Sequence, residues 1–522
     1  AVRYNSRIME YHGLVLDTFQ EEAINHLRNG ESVLVSAPTG AGKTLIAEFL
    51  LEQALAQNFG IVYTAPLKAL SNQKFRDFQD QYGDRIGIVT GDVSIRPQAP
   101  VLIMTTEIFR NRLLEEENPF PHIGYVIFDE IHYMADEERG TVWEESLIFC
   151  PPRIKILGLS ATVPNVSQLA DWMESIRNEP VHVVHEAHRP VPLSHHFCLE
   201  GLGLFPAETL KKANYYVTPD LAIPLPAKHG LAKGLFDYLQ EQELLPCLYF
   251  CFNRRYCQEK ALANRHRNLL TKEQSLRAKE IFEELATSFG VADNETIATL
   301  RPLAERGIAF HHAGLLPTAK EIVERLFTTG LLKMVFATET FAMGINMPAR
   351  SVIFDTLHKW NGTRTGPLKT IEYFQMAGRA GRRGMDERGY VFSFTELNER
   401  TIPDLDRLVE GRMEHVVSQF NLSYSTICSL FSRLGKNLFT ACEKSFAAHE
   451  LRRRYAKTTP SRRRKGRNKQ GTPPDPVQQT LRAKLGMLQK LGYLNQEQIL
   501  PRGTFATHIN GYELQTTELF FA

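Results

Sequence analysis

No run of about 18 apolar residues occurs in the sequence, so nothing in it has the length of a membrane-spanning helix and no membrane partner is expected. Cys-x-x-Cys pairs are also missing: seven cysteines (Cys150, Cys198, Cys247, Cys251, Cys257, Cys428 and Cys442) are scattered through 522 residues. That scatter gives neither a zinc pattern nor a disulfide framework, and it fits a reducing compartment, so the expected location is cytoplasmic. A strong charge of one sign is lacking too. The formal net charge is +2, from 61 basic and 59 acidic residues, so any contact with a polyanion must come from local surfaces. The chain starts at Ala1 with no initiator Met or signal-like segment and stops in an apolar stretch at Ala522. Both ends read as cut, which leaves a removed targeting peptide or a further domain open.

Hydrophobic residues make up 43% and charged residues 23%, the balance of an ordinary globular chain, and the length predicts about three domains. Short β-rich runs at 32–36, 60–64, 86–89, 101–104, 125–128 and 155–159 alternate with helical patterns, the signature of a parallel sheet with crossover helices. A second set follows at 246–252, 308–311, 334–338, 351–354 and 389–394. The expected fold is therefore α/β, with two tandem domains at 1–190 and 191–400, the second carrying a helical insert near 258–306. After 401 helices dominate, and a small β wing at 503–509 behind a helix at 477–491 predicts a winged-helix domain over 401–522. A stretch rich in Arg, Lys, Pro and Gly at 451–476 divides it and is expected to be a mobile linker.

The chemistry centres on Ala37-Pro38-Thr39-Gly40-Ala41-Gly42-Lys43-Thr44, which follows the first strand and precedes a helical run. Such a loop needs small residues to bring backbone N–H groups to phosphates, a lysine for the β and γ oxygens, and a hydroxyl for magnesium. ATP and magnesium are the expected cofactors. Ala37 departs from the glycine usual at the first position. Asp129 and Glu130 emerge at a strand end, where open α/β sheets place ligands; Asp129 would hold magnesium with Thr44, and Glu130 would orient and deprotonate the attacking water. Phe19 and Gln20 precede the first strand, where an amide could meet the adenine edge. In the second domain, Gln375 stands near the expected water, and Arg379 and Arg382 would offset the charge of a reacting γ-phosphate.

Together with Ala65-Pro66-Leu67-Lys68-Ala69-Leu70, Thr105-Thr106-Glu107, Ser160-Ala161-Thr162, His311-His312-Ala313-Gly314 and Ala337-Thr338-Glu339-Thr340, these motifs resemble a superfamily-two DExH-box helicase of the superkiller-type (Ski-like) family. The resemblance spans roughly 16–446 and resumes near 481. It implies two RecA-like domains with ATP between them and a winged helix after them, forming an ATP-dependent RNA helicase that translocates 3′ to 5′ on single-stranded or tailed duplex RNA and unwinds duplexes, within an RNA-processing or decay complex. The family's arch domain is expected to be absent, with only the basic linker in its place. The resemblance also assigns Asn346 to the nucleotide, and His132, Ser160 and Thr162 to coupling, although the two hydroxyls could equally cap a helix.

A motor that ignores sequence grips phosphates and sugars. The residues implied for that track are Pro66, Lys68, Gly91, Asp92, Thr105 and Thr106 on the first domain and Asn253, Thr338, Thr340 and Gly344 on the second. The segment 357–369, with Trp360 and the turn pair Asn361-Gly362, predicts a β-hairpin, a wedge by resemblance. Arg452-Arg453-Arg454 and Arg462-Arg463-Arg464-Lys465 offer either a phosphate contact or a solvated linker. Three other readings stay open: a DNA helicase of the related repair branch, a translocase that does not unwind, and a scaffold without turnover.

Overall fold

The computed structural model describes residues 10–116, 118–225, 231–344, 347–360, 364–435, 438–458, 476–509 and 512–522. Asn346, Asn361, Gly362 and the basic tract 462–465 lie outside the described residues. The contacts divide the chain into two compact units: 1–37, 43–186 and 415–522 form one, and 38–42 with 187–414 the other.

The first unit opens with a small hairpin of β1 (Glu10–Tyr11) and β2 (Leu14–Val15). Its main sheet contains β3 (Ser32–Ser36), β4 (Gly60–Ala65), β5 (Ile86–Val89), β6 (Ser94–Ile95), β7 (Val101–Thr105), β8 (Ile123–Phe128), β9 (Lys155–Ser160) and β10 (Val181–His185), in the order β10-β3-β9-β8-β4-β7-β5-β6. All neighbours pair in parallel except β5 and β6. Parallel strands are covered on both faces, which is why β3, β4, β5 and β7 are buried along their whole length and read as unbroken apolar runs.

The second unit has β11 (Leu193–Leu199), β12 (Gly203–Pro206), β13 (Cys247–Phe250), β14 (Ile308–His311), β15 (Met334–Ala337), β16 (Ser351–Phe354), the hairpin strands β17 (His358–Trp360) and β18 (Thr365–Pro367), and β19 (Gly389–Thr395). Its sheet runs β12-β11-β19-β16-β13-β15-β14, parallel except between β11 and β12. Helices Arg254–Ala263, Lys272–Ser288 and Glu295–Ala304 lie between β13 and β14. β10, β11 and β12 escape the sequence reading. Histidines interrupt the apolar runs of β10 and β11, and β12 ends on proline, so none shows a clean strand pattern.

Two expectations for the C-terminal part are corrected. Residues 503–509 do not form a β wing, because helix Pro501–Ala506 occupies most of them. Pro501 presets the first helical turn, and Gly503 packs so closely that a Cβ there would stand 2.2 Å from the Tyr493 carbonyl oxygen. Among the described residues, the β pairing in this region is the bridge between Leu494 and Ile499. Residues 451–458, expected to belong to the linker, instead continue helix Phe446–Thr458, and 459–475 lie outside the described residues. Arg453 in that helix is paired with Asp171 at 3.0 Å, and Arg452 donates to the Glu443 carbonyl at 2.8 Å.

The returning segment is fastened to helix Gly140–Phe149 and to helix Val166–Arg177. Glu144, fully buried, accepts from Ser418 Oγ at 2.8 Å and from the Phe446 backbone N–H at 2.5 Å. Beside it, buried Glu145 pairs with Arg110 at 3.0 Å, and Arg110 also reaches Thr426. Trp172 Nε1 donates to the Lys444 carbonyl at 2.7 Å, while Asn165 and Val416 exchange two bonds.

Candidate nucleotide and nucleic-acid site

Strand order assembles the first half of the site. β9 lies between β3 and β8, so the loops after these strands leave the carboxyl edge of the sheet side by side. These are the loops that carry Lys43, the Asp129-Glu130 pair and Thr162. In the first, Gly40 and Gly42 have φ values of +85° and +92°, a left-handed backbone that residues with a Cβ adopt only under strain. Lys43 Nζ donates to the Ala37 carbonyl at 2.7 Å, and Thr44 opens helix Thr44–Gln57.

Asp129 is held on both oxygens. Tyr63 Oη donates to Oδ2 at 2.5 Å and the Glu130 N–H to Oδ1 at 3.0 Å. Burial, and next the charge of Glu130, push its carboxyl above the usual range. A divalent cation would relieve both effects, and a hydroxyl and a carboxylate are hard oxygen donors, so Thr44 and Asp129 fit magnesium. Lys74 supplies a positive charge at this place: its Nζ is 3.4 Å from Thr44 Oγ1, and its charge acts on Asp129. Sequence reasoning missed Lys74. Its signal was a lysine at i+4 from Leu70 and i−4 from Phe78, on the buried face of helix Lys68–Tyr82. Glu130 itself sits at φ 53°, a left-handed conformation that costs energy for a residue with a long side chain.

His132 joins two of the loops. Its Nδ1 accepts the Ala161 backbone N–H at 3.2 Å. Burial, then the charge of Lys43, lower its pKa to about 3, so the ring is neutral and Nδ1 is the unprotonated nitrogen, as that bond requires. Glu130 Oε2 approaches the same nitrogen at 3.5 Å, and with both atoms acceptors this is proximity rather than an ion pair. Ser160 Oγ and Thr162 Oγ1 are buried without a hydrogen-bond partner among the described residues. Neither caps the following helix, whose N-cap is Asn165. Phe19 and Gln20 are both buried, and Gln20 Oε1 accepts the Asp17 N–H at 2.9 Å in a capping box, which occupies one end of the amide.

In the second unit Gln375 is nearly buried on helix Thr370–Ala377, with Arg379 and Arg382 in the loop beyond it. Arg382 is engaged in a two-pronged pair, Nε to Asp386 Oδ2 at 2.7 Å and Nη2 to Oδ1 at 2.8 Å. Arg189, another residue the sequence did not reveal, donates to the carbonyls of Gly378 at 2.8 Å and Ala380 at 2.6 Å and so holds the loop from behind. Burial, and then the nearby charge of Arg379, lower its pKa to about 10.

Some of the residues expected to contact nucleic acid lie together in the first unit. Lys68 Nζ pairs with Asp92 Oδ2 at 2.6 Å, and a Cβ on Gly91 would stand 3.3 Å from the same ammonium. The Pro66 carbonyl accepts from Arg139 Nη1 at 3.1 Å, which adds a cation the sequence did not single out. Thr105 is the N-cap of helix Thr106–Glu115, and Thr106 is buried with Oγ1 3.5 Å from the Ala65 carbonyl. In the second unit Asn253 caps helix Arg254–Ala263 by accepting from the Arg255 N–H at 2.8 Å, while Thr338 and Thr340 hydroxyls are 2.9 Å apart. Gly344 closes helix Glu339–Gly344.

A phosphate loop, an Asp-Glu-Ile-His strand end and a Ser-Ala-Thr strand end on adjacent strands define a DExH-box helicase ATPase domain. Family models agree: DEAD/DEAH box helicase matches residues 17–169 and helicase conserved C-terminal domain residues 267–384. The chain belongs to the DExH-box helicases, and its homologues are Ski2-like RNA helicases. It is 40% identical over 470 residues to the DExH-box ATP-dependent RNA helicase DExH10 of Arabidopsis thaliana, covering 84% of this chain and 47% of that protein. It is 39% identical to the human exosome RNA helicase MTR4 (83% of this chain, 43% of that protein) and 38% identical to human superkiller complex protein 2 (79% and 36%). The chain thus spans less than half the length of these relatives. Among the described residues, no helix is long and apolar enough to cross a membrane.

Proposed function

We propose that this chain is the motor of an ATP-dependent RNA helicase that moves 3′ to 5′ on a single strand, separates duplexes, and serves RNA processing or decay. The observation that carries the reading is the bond from Ala161 to His132, which couples the loop of the hydrolytic carboxylates to the Ser-Ala-Thr loop. Lys43 and the backbone of 38–42 hold the phosphates, with Phe19 and Gln20 toward the base; Asn346, assigned to the nucleotide by the family resemblance, lies outside the described residues. Thr44 and Asp129 would hold magnesium, which would polarise the γ-phosphate. Glu130 accepts the proton of the attacking water, the bond from the γ-phosphorus to the bridging oxygen breaks, and ADP leaves with that oxygen. Gln375 orients the water, and Arg379 and Arg382 stabilise the transferring group.

The residues proposed to contact the strand are Pro66, Lys68, Gly91, Asp92, Thr105 and Thr106 on the first unit and Asn253, Thr338, Thr340 and Gly344 on the second, and the β17–β18 hairpin is proposed as the wedge. The two α/β sheets are read as RecA-like domains over 1–190 and 191–400. The helices of 401–522 are read as a winged helix whose wing is reduced to the Leu494–Ile499 bridge. Because relatives carry the names exosome helicase and superkiller complex protein, an RNA-decay assembly is the partner class proposed.

The test is ATP hydrolysis with single-stranded RNA and DNA side by side, with Glu130→Gln as control. Stronger stimulation by RNA and loss of turnover in the variant are expected. Equal stimulation by DNA would remove the preference for RNA, and an active Glu130→Gln would sink the assignment of the base. Strand separation on 3′- and 5′-tailed duplexes decides polarity.

A further inference from the structure

A two-stranded hairpin of three residues a side is marginal by itself in water, so something outside it must set where β17 and β18 point. The register pairs His358 with Pro367, Lys359 with Gly366 and Trp360 with Thr365. Side chains alternate along a strand: Trp360 is 62% exposed, whereas Lys359 turns toward the protein. Gly366, opposite Lys359, offers it no side chain.

The Lys359 ammonium lies 3.0 Å from Glu339 Oε2 and 2.7 Å from Glu372 Oε1. Glu339 opens helix Glu339–Gly344, and the next residue is Thr340 of the proposed track. Glu372 lies in the first turn of helix Thr370–Ala377, where its other oxygen accepts the Lys369 N–H at 3.0 Å, and Gln375 is one turn further on. One cation therefore touches the hairpin, the helix of Thr340 and the helix of Gln375. The opposite foot of the hairpin is fastened separately, through Arg407 Nη2 to the Leu368 carbonyl at 2.6 Å. That bond does not reach the helix of Thr340.

We propose that Lys359 is the positioning residue that makes the hairpin follow the track helix and the helix of Gln375, so that hydrolysis is converted into strand separation. The proposal rests on the helicase reading above. Without the ammonium the hairpin loses its tie to both helices, while Phe341 and Tyr373, buried on those helices, still hold them in place. Translocation on a single strand does not use the wedge; separation of a duplex does.

The experiment compares the full chain with Lys359→Met and Lys359→Arg in two assays on the same preparations: ATP hydrolysis on single-stranded RNA, and unwinding of a 3′-tailed RNA duplex. In Lys359→Met, base pairs opened per ATP are expected to fall about tenfold or more, while hydrolysis on single strands changes by less than about twofold. Arginine can span both carboxylates, so Lys359→Arg is expected to restore most of the unwinding. A tie that only holds the fold would lower both assays together with the melting temperature, and that outcome overturns the proposal. So does a Met variant that unwinds as well as the parent. A parent chain that hydrolyses ATP on RNA but separates no duplex overturns the helicase reading itself, and is distinguished by its failure before any substitution is made.

Discussion

His132 Nδ1 receives the backbone N–H of Ala161 at 3.2 Å, so the loop after β8 is bonded directly to the loop after β9. Ser160 and Thr162 flank the donor, and their buried hydroxyls have no partner among the described residues. Groups in that state gain from any rearrangement that gives them one.

Replacing His132 by Ala should therefore uncouple the loops. RNA-stimulated hydrolysis is expected to fall about tenfold, with a smaller loss in the unstimulated rate, measured as kcat with and without saturating single-stranded RNA. The pH dependence has a definite sign. The unfolded chain takes up a proton at this histidine below about 6.5, while the folded chain does so only near 3. Stability from this group is complete above about pH 6.5 and is lost as pH falls toward 3, so the urea midpoint of His132→Gln should decline less between pH 7 and 5 than that of the parent.

Lys74 places its positive charge beside Thr44 and Asp129, the residues proposed to hold magnesium. Lys74→Met should lower the magnesium concentration needed for half-maximal hydrolysis by several-fold, because Thr44 and Asp129 lose a competing cation. A magnesium titration at fixed ATP checks this, and an unchanged or raised midpoint contradicts it.

Arg382 is bound through both prongs of its guanidinium, which a lysine cannot imitate. If it serves the γ-phosphate in the transition state, Arg382→Lys should reduce kcat by about 100-fold or more and leave KM for ATP within a few-fold. A loss confined to KM would instead make it a simple phosphate anchor.

Burial raises the carboxyls of Glu144 and Glu145 to about 7. Between the unfolded value near 4.5 and about 7 the folded chain holds more protons than the unfolded chain, so stability rises as pH falls through that window. Thermal melting at pH 6 should exceed that at pH 8, and Glu144→Gln should shrink the difference. Glu144→Ala, which strands the Phe446 N–H, should cost about 1–3 kcal/mol at either pH.

The sequence was most legible where strands are buried on both faces. β3, β5, β14 and β16 lie where their apolar runs placed them, because a central parallel strand has no polar face to blur the pattern. It was least legible at β10 and β11, where histidines break the apolar runs: His195, for example, bonds Tyr373 Oη at 2.7 Å and burial lowers its pKa to about 4. The expected wing failed because Pro501 presets a helical turn and Gly503 packs closely against Tyr493, a contact with no local signature. In the site, loop residues were readable by type and spacing. Lys74, Arg139 and Arg189 were not, since each acts on a loop far from it in sequence.

The grip of the C-terminal segment on the first unit has a consequence for how the chain is made. The partners of Trp172 and Glu144 are 272 to 302 residues further along. A ribosome must therefore synthesise the whole second unit while helices Gly140–Phe149 and Val166–Arg177 still show uncovered apolar surface and, in Glu144, an acid without its donors. Domains usually mature in order of synthesis. This one finishes its first unit last, and the interval is when a chaperone would be needed most.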